Sequence, residues 1–222
     1  MIAVKNICKS FHEGKNKTSH ALKDISIMIN RGECAILKGV SGSGKSTLLS
    51  IMGAIMKPTS GAVEVEGKNI VNLSDFHISN YRSEKVGFVT QSFHLFDLLS
   101  VKNNLLPSLL TQDLSPEEIH ARIEHAMQIS NISHKGEQTV STLSGGEKQR
   151  CMIARAMVNN PSIILCDEPT ANLDKENSLK FIDIIKKLKE MGKTVVIATH
   201  DPLFDNLDFI DTVFHINEGK IE

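Results

Sequence analysis

The sequence predicts an α/β fold in which a largely parallel sheet is interrupted by a helical insert. Three observations predict it. Short apolar runs, "ECAILKGV", "SIILCDE" and "TVVIATH", end abruptly in glycine or polar residues, as strands buried on both faces do. Two of them are followed or preceded by stretches with helical periodicity, the alternation of an α/β chain. From Ser92 to about Asn160 strand signals disappear.

In chain order, "IAVKNICKSF" and "LKDISIMIN" alternate like half-buried strands. "ECAILKGV" is a buried strand, and a helix is expected from Gly44 to about Ala54. "GAVEVEGK" (61–68) alternates again, and "KVGFVTQ" (85–91) reads as a buried strand ending at Gln91. Within the insert the clearest helix opens at "SPEEIHARIEHAM". There Ser115 is the N-cap, Pro116 sits at N1 and Glu118 at N3, with Ile119, Ile123, Ala126 and Met127 on one face. After the strand at 162–168, a helix near 175–191 is stopped by Gly192. Strands at 194–200, the last residue being His200, and near "TVFHI" complete the core. The chain of 222 residues reads as one unit with two lobes: a core of about 1–91 and 161–222, and a helical lobe of about 92–160.

Composition narrows the class. Net charge is −1, which gives no positive field for nucleic acid, and no basic block marks a membrane surface. Lysines inside the apolar N-terminal stretch argue against a signal peptide. The longest apolar run, "LLSIMGAIM", is too short for a spanning helix of ~20 residues. Cys8, Cys34, Cys151 and Cys166 lie far apart, which points to reduced thiols rather than a disulfide or zinc framework.

The chemistry concentrates at two anion cradles. "GVSGSGKS" (39–46) fits G-x-x-x-x-G-K-[ST] between an expected strand and helix. Gly39, Ser41, Gly42, Ser43 and Gly44 shape a turn whose N–H groups can wrap phosphates. Lys45 is placed for the β/γ-phosphates, Ser46 for Mg²⁺ and Thr47 for a further phosphate contact. "IILCDE" delivers two carboxylates at a strand end: Asp167 for Mg²⁺, and Glu168 as the base that polarises the attacking water. Gln91 can bridge Mg²⁺ to the following segment, and His200 can reach the γ-phosphate. The second cradle is "LSGGEKQR" (143–150), where Ser144, Gly145, Gly146 and Glu147 open a helix.

This order of motifs, closing with "ANLD" (171–174) and His200, resembles the ATP-binding cassette ATPases over essentially the whole chain. The resemblance implies ATP and Mg²⁺ as ligands and a P-loop NTPase fold, a RecA-like core with an antiparallel β layer plus the helical subdomain. It places Phe11 against adenine and Asp174 in the loop coupling two sites. It gives Ser144–Glu147 to the nucleotide of a second copy, in a homodimer closed by ATP. It further implies transmembrane permease subunits as partners, met through the region after Gln91, and a peripheral place on the cytoplasmic side of the membrane.

"GFVTQSFHLF" and "VNNPSIILCDEPTANLD" are similar to the branch of lipoprotein-release and macrolide-export ATPases, with a cell-division relative that signals mechanically and transports nothing. That branch usually carries Glu-Asn-Val before "LP". Here Lys102-Asn103-Asn104 stands instead, on a stretch expected to form partner-facing surface. A GTPase would lack the LSGG helix, and its guanine-reading N-K-x-D is absent. A chromosome-organising cassette would need a long coiled coil between the motifs.

Overall fold

The computed structural model describes residues 1–13 and 17–222. Its centre is a six-stranded sheet whose strands come from both halves of the chain. These are β3 (Cys34–Lys38), β6 (Val86–Val89), β7 (Ile163–Asp167), β8 (Thr194–Thr199), β9 (Thr212–Asn217) and β10 (Lys220–Ile221). The order is β10-β9-β3-β8-β7-β6, parallel except for the β9–β10 hairpin. A second, antiparallel sheet is formed by β1 (Ile2–Glu13), β2 (Lys17–Ile29), β4 (Ser60–Val65) and β5 (Lys68–Asn69), in the order β2-β1-β4-β5.

Alternation along the parallel strands explains why they read as unbroken apolar runs: both faces are covered. Cys34, Ile36, Ile164, Cys166, Val195 and Ile197 join one apolar cluster with the helices α4 (Pro116–Ile129), α5 (Gly145–Met157) and α6 (Lys175–Glu190). Their neighbours Ala35, Leu37, Ile163, Leu165, Val196 and Ala198 join a second cluster. It is shared with α1 (Lys45–Met52) and the antiparallel sheet, through Leu48, Leu49, Ile7 and Ile25. The core is thus three layers: helices, parallel sheet, and α1 with the antiparallel sheet.

From 92 to 160 the regular elements are helical. Besides α4 and α5 there is a short α3 (Val101–Leu105), and one isolated bridge joins Ser100 to Thr139. The expected cap of α4 is present in full: Ser115 Oγ accepts from Glu118 N–H, and Glu118 reciprocates to Ser115 N–H.

Both ends of β6 differ from expectation. A helix, α2 (Asp75–Lys85), precedes β6 and takes Lys85, so the strand is shorter than 85–91 and ends at Val89. The helix gave no periodic signal because only Ile78 and Tyr81 are buried on it. Tyr81 donates from its hydroxyl to Met52 O, which fixes α2 against the end of α1.

Among the described residues all four cysteines are free. Burial pushes the thiols of Cys34 and Cys151 up to about 12, and that of Cys166 higher still, which makes them inert apolar filling.

Candidate active site

Parallel registry brings the site together. Lys38 pairs with Thr199, and Asp167 with Ala198, so β3, β8 and β7 end level with one another. The residues that follow each strand, Gly39, His200 and Glu168, therefore emerge side by side at the carboxyl edge of the sheet, where open α/β sheets bind ligands. Glu168 N–H donates to Ala198 O at 2.8 Å, which extends the ladder by one bond.

The loop after β3 turns into α1 through Gly44, which has φ 109°. A side chain there would be strained by that φ and would stand 2.6 Å from Ala21 O. Gly39 has a different need: a Cβ would lie 2.2 Å from Ile216 O. Ser41 and Gly42 are exposed, Thr47 is half-buried, and Ser43 is buried. Among the described residues Ser43 Oγ finds no hydrogen-bond partner.

Lys45, only 4% exposed, directs its ammonium into the loop. Nζ donates to Gly39 O at 2.8 Å and Val40 O at 3.0 Å, and lies 3.3 Å from Glu168 Oε1. Ser46 Oγ donates to Asp167 Oδ1 at 2.7 Å. Burial raises the Asp167 carboxyl above its ordinary range, the Ser46 bond opposing it. His200 Nδ1 is 3.0 Å from both carboxylate oxygens of Glu168. Glu168 itself has φ 43°, a left-handed backbone that a non-glycine residue adopts only under constraint. A cation, two carboxylates, a hydroxyl and an imidazole thus share one edge. The hydroxyl and carboxylate are hard oxygen donors of the kind Mg²⁺ prefers. The unpartnered Ser43 hydroxyl and the Lys45 ammonium fit an oxyanion.

The other sequence-derived residues lie apart from this cluster. Ser144 caps α5: its Oγ accepts from Glu147 N–H at 3.3 Å, while Ser144 N–H donates to Glu147 Oε2 at 2.8 Å. That backbone bond, helped by Lys135, holds the Glu147 carboxyl below its usual range. Ser144 and Gly145 are exposed, and a Cβ on Gly145 would meet nothing nearer than Asn172 O at 3.7 Å. Gly146 is different: its Cβ would stand 2.1 Å from Asn177 Oδ1. Asp174 caps α6 by accepting from Asn177 N–H at 2.8 Å, and Asn177 Oδ1 receives Arg150 Nη1 at 3.4 Å. Asn177, which carried no motif signal, therefore joins the two helix starts.

Gln91 lies beyond the end of β6; it is exposed, and its carbonyl accepts from Asn172 Nδ2 at 3.0 Å. Phe11 sits on β1, 37% exposed, with Lys9 Nζ 5.1 Å from its ring centroid. One face of the ring is thus occupied by a cation.

The expectation for Lys102-Asn103-Asn104 is corrected at Asn104, whereas Asn103 is exposed. Asn104 is completely buried and forms no surface. Its Oδ1 accepts from Phe96 N–H, and its Nδ2 faces the carbonyls of Phe96, Leu99 and Ser100. Lys102, partly exposed, pairs at the surface with Glu124 and Glu137, at 3.0 and 2.9 Å. The outward surface belongs to Phe96 and Leu98, which are 53% and 88% exposed.

The family model for ABC transporters matches residues 22–171, which include both cradles and the Asp167–Glu168 pair. The chain belongs to the ABC transporter ATP-binding family. ABC cassettes with this arrangement bind and hydrolyse ATP, and this chain is such an ATPase. It is 37% identical to the ATP-binding protein MJ0796 of Methanocaldococcus jannaschii, over all of this chain and 95% of that one. It is 34% identical to the ATP-binding protein of the lipoprotein-releasing system of Pseudoalteromonas translucida, over 100% of this chain and 94% of that one. A macrolide export ATP-binding/permease protein of Salmonella typhi is 36% identical over 97% of this chain, which covers 33% of that longer protein. A dimeric post-hydrolysis structure of MJ0796 with ADP and Pi superimposes with TM-score 0.90 at 36% identity, covering 100% of this chain and 97% of that one. The expected RecA-like core with its antiparallel layer and inserted helices is the fold observed. Among the described residues no helix is long and apolar enough to cross a membrane.

Proposed function

We propose that this ABC cassette drives a membrane complex of the lipoprotein-release and macrolide-export branch, working as a head-to-tail homodimer with ATP at each interface. The carrying observation is the Lys45–Glu168–His200 cluster at the level ends of β3, β7 and β8.

In this reading the N–H groups of 39–47 hold the phosphates and Lys45 leaves the carbonyls of Gly39 and Val40 for the β/γ-phosphates. Ser46 and Asp167, with Gln91, would hold Mg²⁺, which supplies charge neutralisation on the phosphate oxygens. Glu168 accepts the proton of the attacking water as its oxygen bonds phosphorus and ADP leaves. His200 faces that carboxylate through Nδ1, and its N–H is available either to the carboxylate or to the γ-phosphate. Phe11 offers the ring face away from Lys9 to the adenine.

Gly145 opens a 13-residue helix at the surface, and the anion that suits it comes from a second copy. Asp174, beside that helix, faces the same junction through Asn177. Each site is then completed only when two copies close on ATP.

The permease contact is assigned to the segment 92–99 and an adjoining open groove of about 340 Å³ between α2 and α5, lined by Arg82, Phe88, Pro107, Ser108, Arg155 and Asn159. Two arginines and no acid among its lining residues favour a permease segment that carries a carboxylate. Through it the protein is held at the cytoplasmic face of the membrane, and the two lobes, core and helical, shift against one another as ATP turns over.

The test mixes two inactive variants, Lys45→Ala and Ser144→Arg. Mixed dimers hold one intact composite site, so ATP-dependent heterodimers on a sizing column, with returning phosphate release, are the expected outcome. If ATP-loaded Glu168→Gln stays monomeric at high concentration while Ser144→Arg hydrolyses normally, the dimer reading is wrong.

A further inference from the structure

Arg155 lies on α5, next to the buried run Cys151, Met152, Ile153 and Ala154. Its guanidinium is engaged by backbone from another part of the lobe. Nη1 donates to His94 O at 2.6 Å and Nη2 to Phe93 O at 3.1 Å. Both carbonyls belong to the segment that starts after Gln91 and leads to the exposed Phe96 and Leu98. His94 is held at φ 47°, a conformation that needs outside support. One turn earlier on the same helix, Met152 Sδ lies 3.6 Å from Thr90 Oγ1.

The placement is informative. Burial disfavours the charge of Arg155, and its guanidinium meets two backbone carbonyl oxygens there. Gly145 starts the same helix ten residues earlier, about 15 Å away along a rigid rod. A movement of 93–94 therefore reaches the cap at Ser144 without crossing a loop.

We propose that Arg155 is a positioning residue that clamps the partner-facing segment 92–98 to the LSGG helix, so that displacing one displaces the other. The inference rests on the assignments above of 92–99 to the permease and of Ser144–Gly146 to a second copy. The planar guanidinium spans two adjacent carbonyls; a lysine ammonium is a point charge and holds them less well.

The test uses the full chain with Glu168→Gln as parent, alone and with Arg155→Gln or Arg155→Lys. The first readout is amide hydrogen exchange. Segment 92–98 should exchange about tenfold faster in Arg155→Gln, with α4 and α6 unchanged. The second is the ATP-dependent dimer constant, expected to weaken about tenfold while ATP binding to the monomer stays within about twofold. Arg155→Lys should fall between parent and Arg155→Gln in both, and it decides the matter if Arg155→Gln fails to fold. Unchanged exchange at 92–98 overturns the clamp. Faster exchange with an unchanged dimer constant overturns the transmission, leaving Arg155 as packing alone. Should the parent itself stay monomeric with ATP, the dimer reading is what fails, and the exchange profile still decides the clamp.

Discussion

Lys45 Nζ lies 3.3 Å from Glu168 Oε1, although the two residues reach that point from different strands, one after β3 and one after β7. The lysine is buried and the carboxylate nearly so, and the pair is reinforced by two loop carbonyls on one side and His200 on the other. The same ammonium is the group a phosphate would claim. On the proposed reading, binding of ATP and release of Glu168 are coupled events.

Replacing Glu168 by Gln keeps the shape and a hydrogen-bond acceptor for His200 but removes the base. Turnover should fall at least about a hundredfold, with ATP affinity retained or raised because Lys45 no longer has a carboxylate to leave. Phosphate release and equilibrium binding of a fluorescent ATP analogue measure the two arms. Near-normal turnover would remove Glu168 from the role of base. Lys45→Ala should instead lose nucleotide affinity.

Gly146 allows α5 and α6 to meet. A methyl group there would stand 2.1 Å from Asn177 Oδ1, and Asn177 cannot simply swing away, because its Nδ2 is 3.0 Å from both Asp174 oxygens. Gly146→Ala should destabilise the fold by about 1–3 kcal/mol, read as a lowered Tm. Adding Asn177→Ala should recover part of that loss, since the clashing atom is gone. A purely additive double variant would show that the contact does not set the spacing.

The cap of α5 predicts a pH signature. The bond from Ser144 N–H lowers the Glu147 carboxyl below its ordinary 4.5 in the folded chain. A depressed carboxyl contributes stability that is fully present above 4.5 and is lost as pH falls through the lower folded value. The Tm difference between the native chain and Glu147→Gln should thus be widest near neutrality and should shrink below pH 4.5. A difference constant from neutrality into acid would mean that the charge of Glu147 adds nothing to the cap.

Much of this architecture is legible in local sequence because the signals are local. The buried run of β7 and the glycines of 39–44 announce themselves, and so does the capping box at Ser115. What escapes are residues whose purpose is set by distant partners. Tyr81 and Ile78 make α2 a helix with too narrow an apolar face to show periodicity. Asn177 and Arg155 act on segments 27 and 61 positions away, respectively, and nothing in their neighbourhoods marks them. Asn104 misled for the same reason: a polar residue in a partner-facing region reads as surface, whereas its partners are four backbone groups of its own loop.

Surface and support can be separated at that loop. Phe96→Asp changes an exposed ring, so folding and ATP binding should survive while copurification with a permease is lost. Asn104→Val, which puts an apolar side chain at this position, should do the opposite. It leaves Phe96 N–H without its acceptor, while the carbonyls of Phe96, Leu99 and Ser100 keep only their backbone donors, Leu99 N–H, Val140 N–H and Asn104 N–H. Unmet backbone groups of this kind cost about 1–3 kcal/mol, so Tm should drop and exchange at 96–100 should quicken. Asn104→Asp is the control: it keeps the acceptor for Phe96 N–H but turns a donor into a charge facing three carbonyls, and should be worse than Val. If Asn104→Val is neutral in Tm and exchange, the buried amide does not hold the loop, whose shape then rests on Arg155 and on the bonds from Val140 N–H and Ser141 N–H to Leu99 O and Asp97 O.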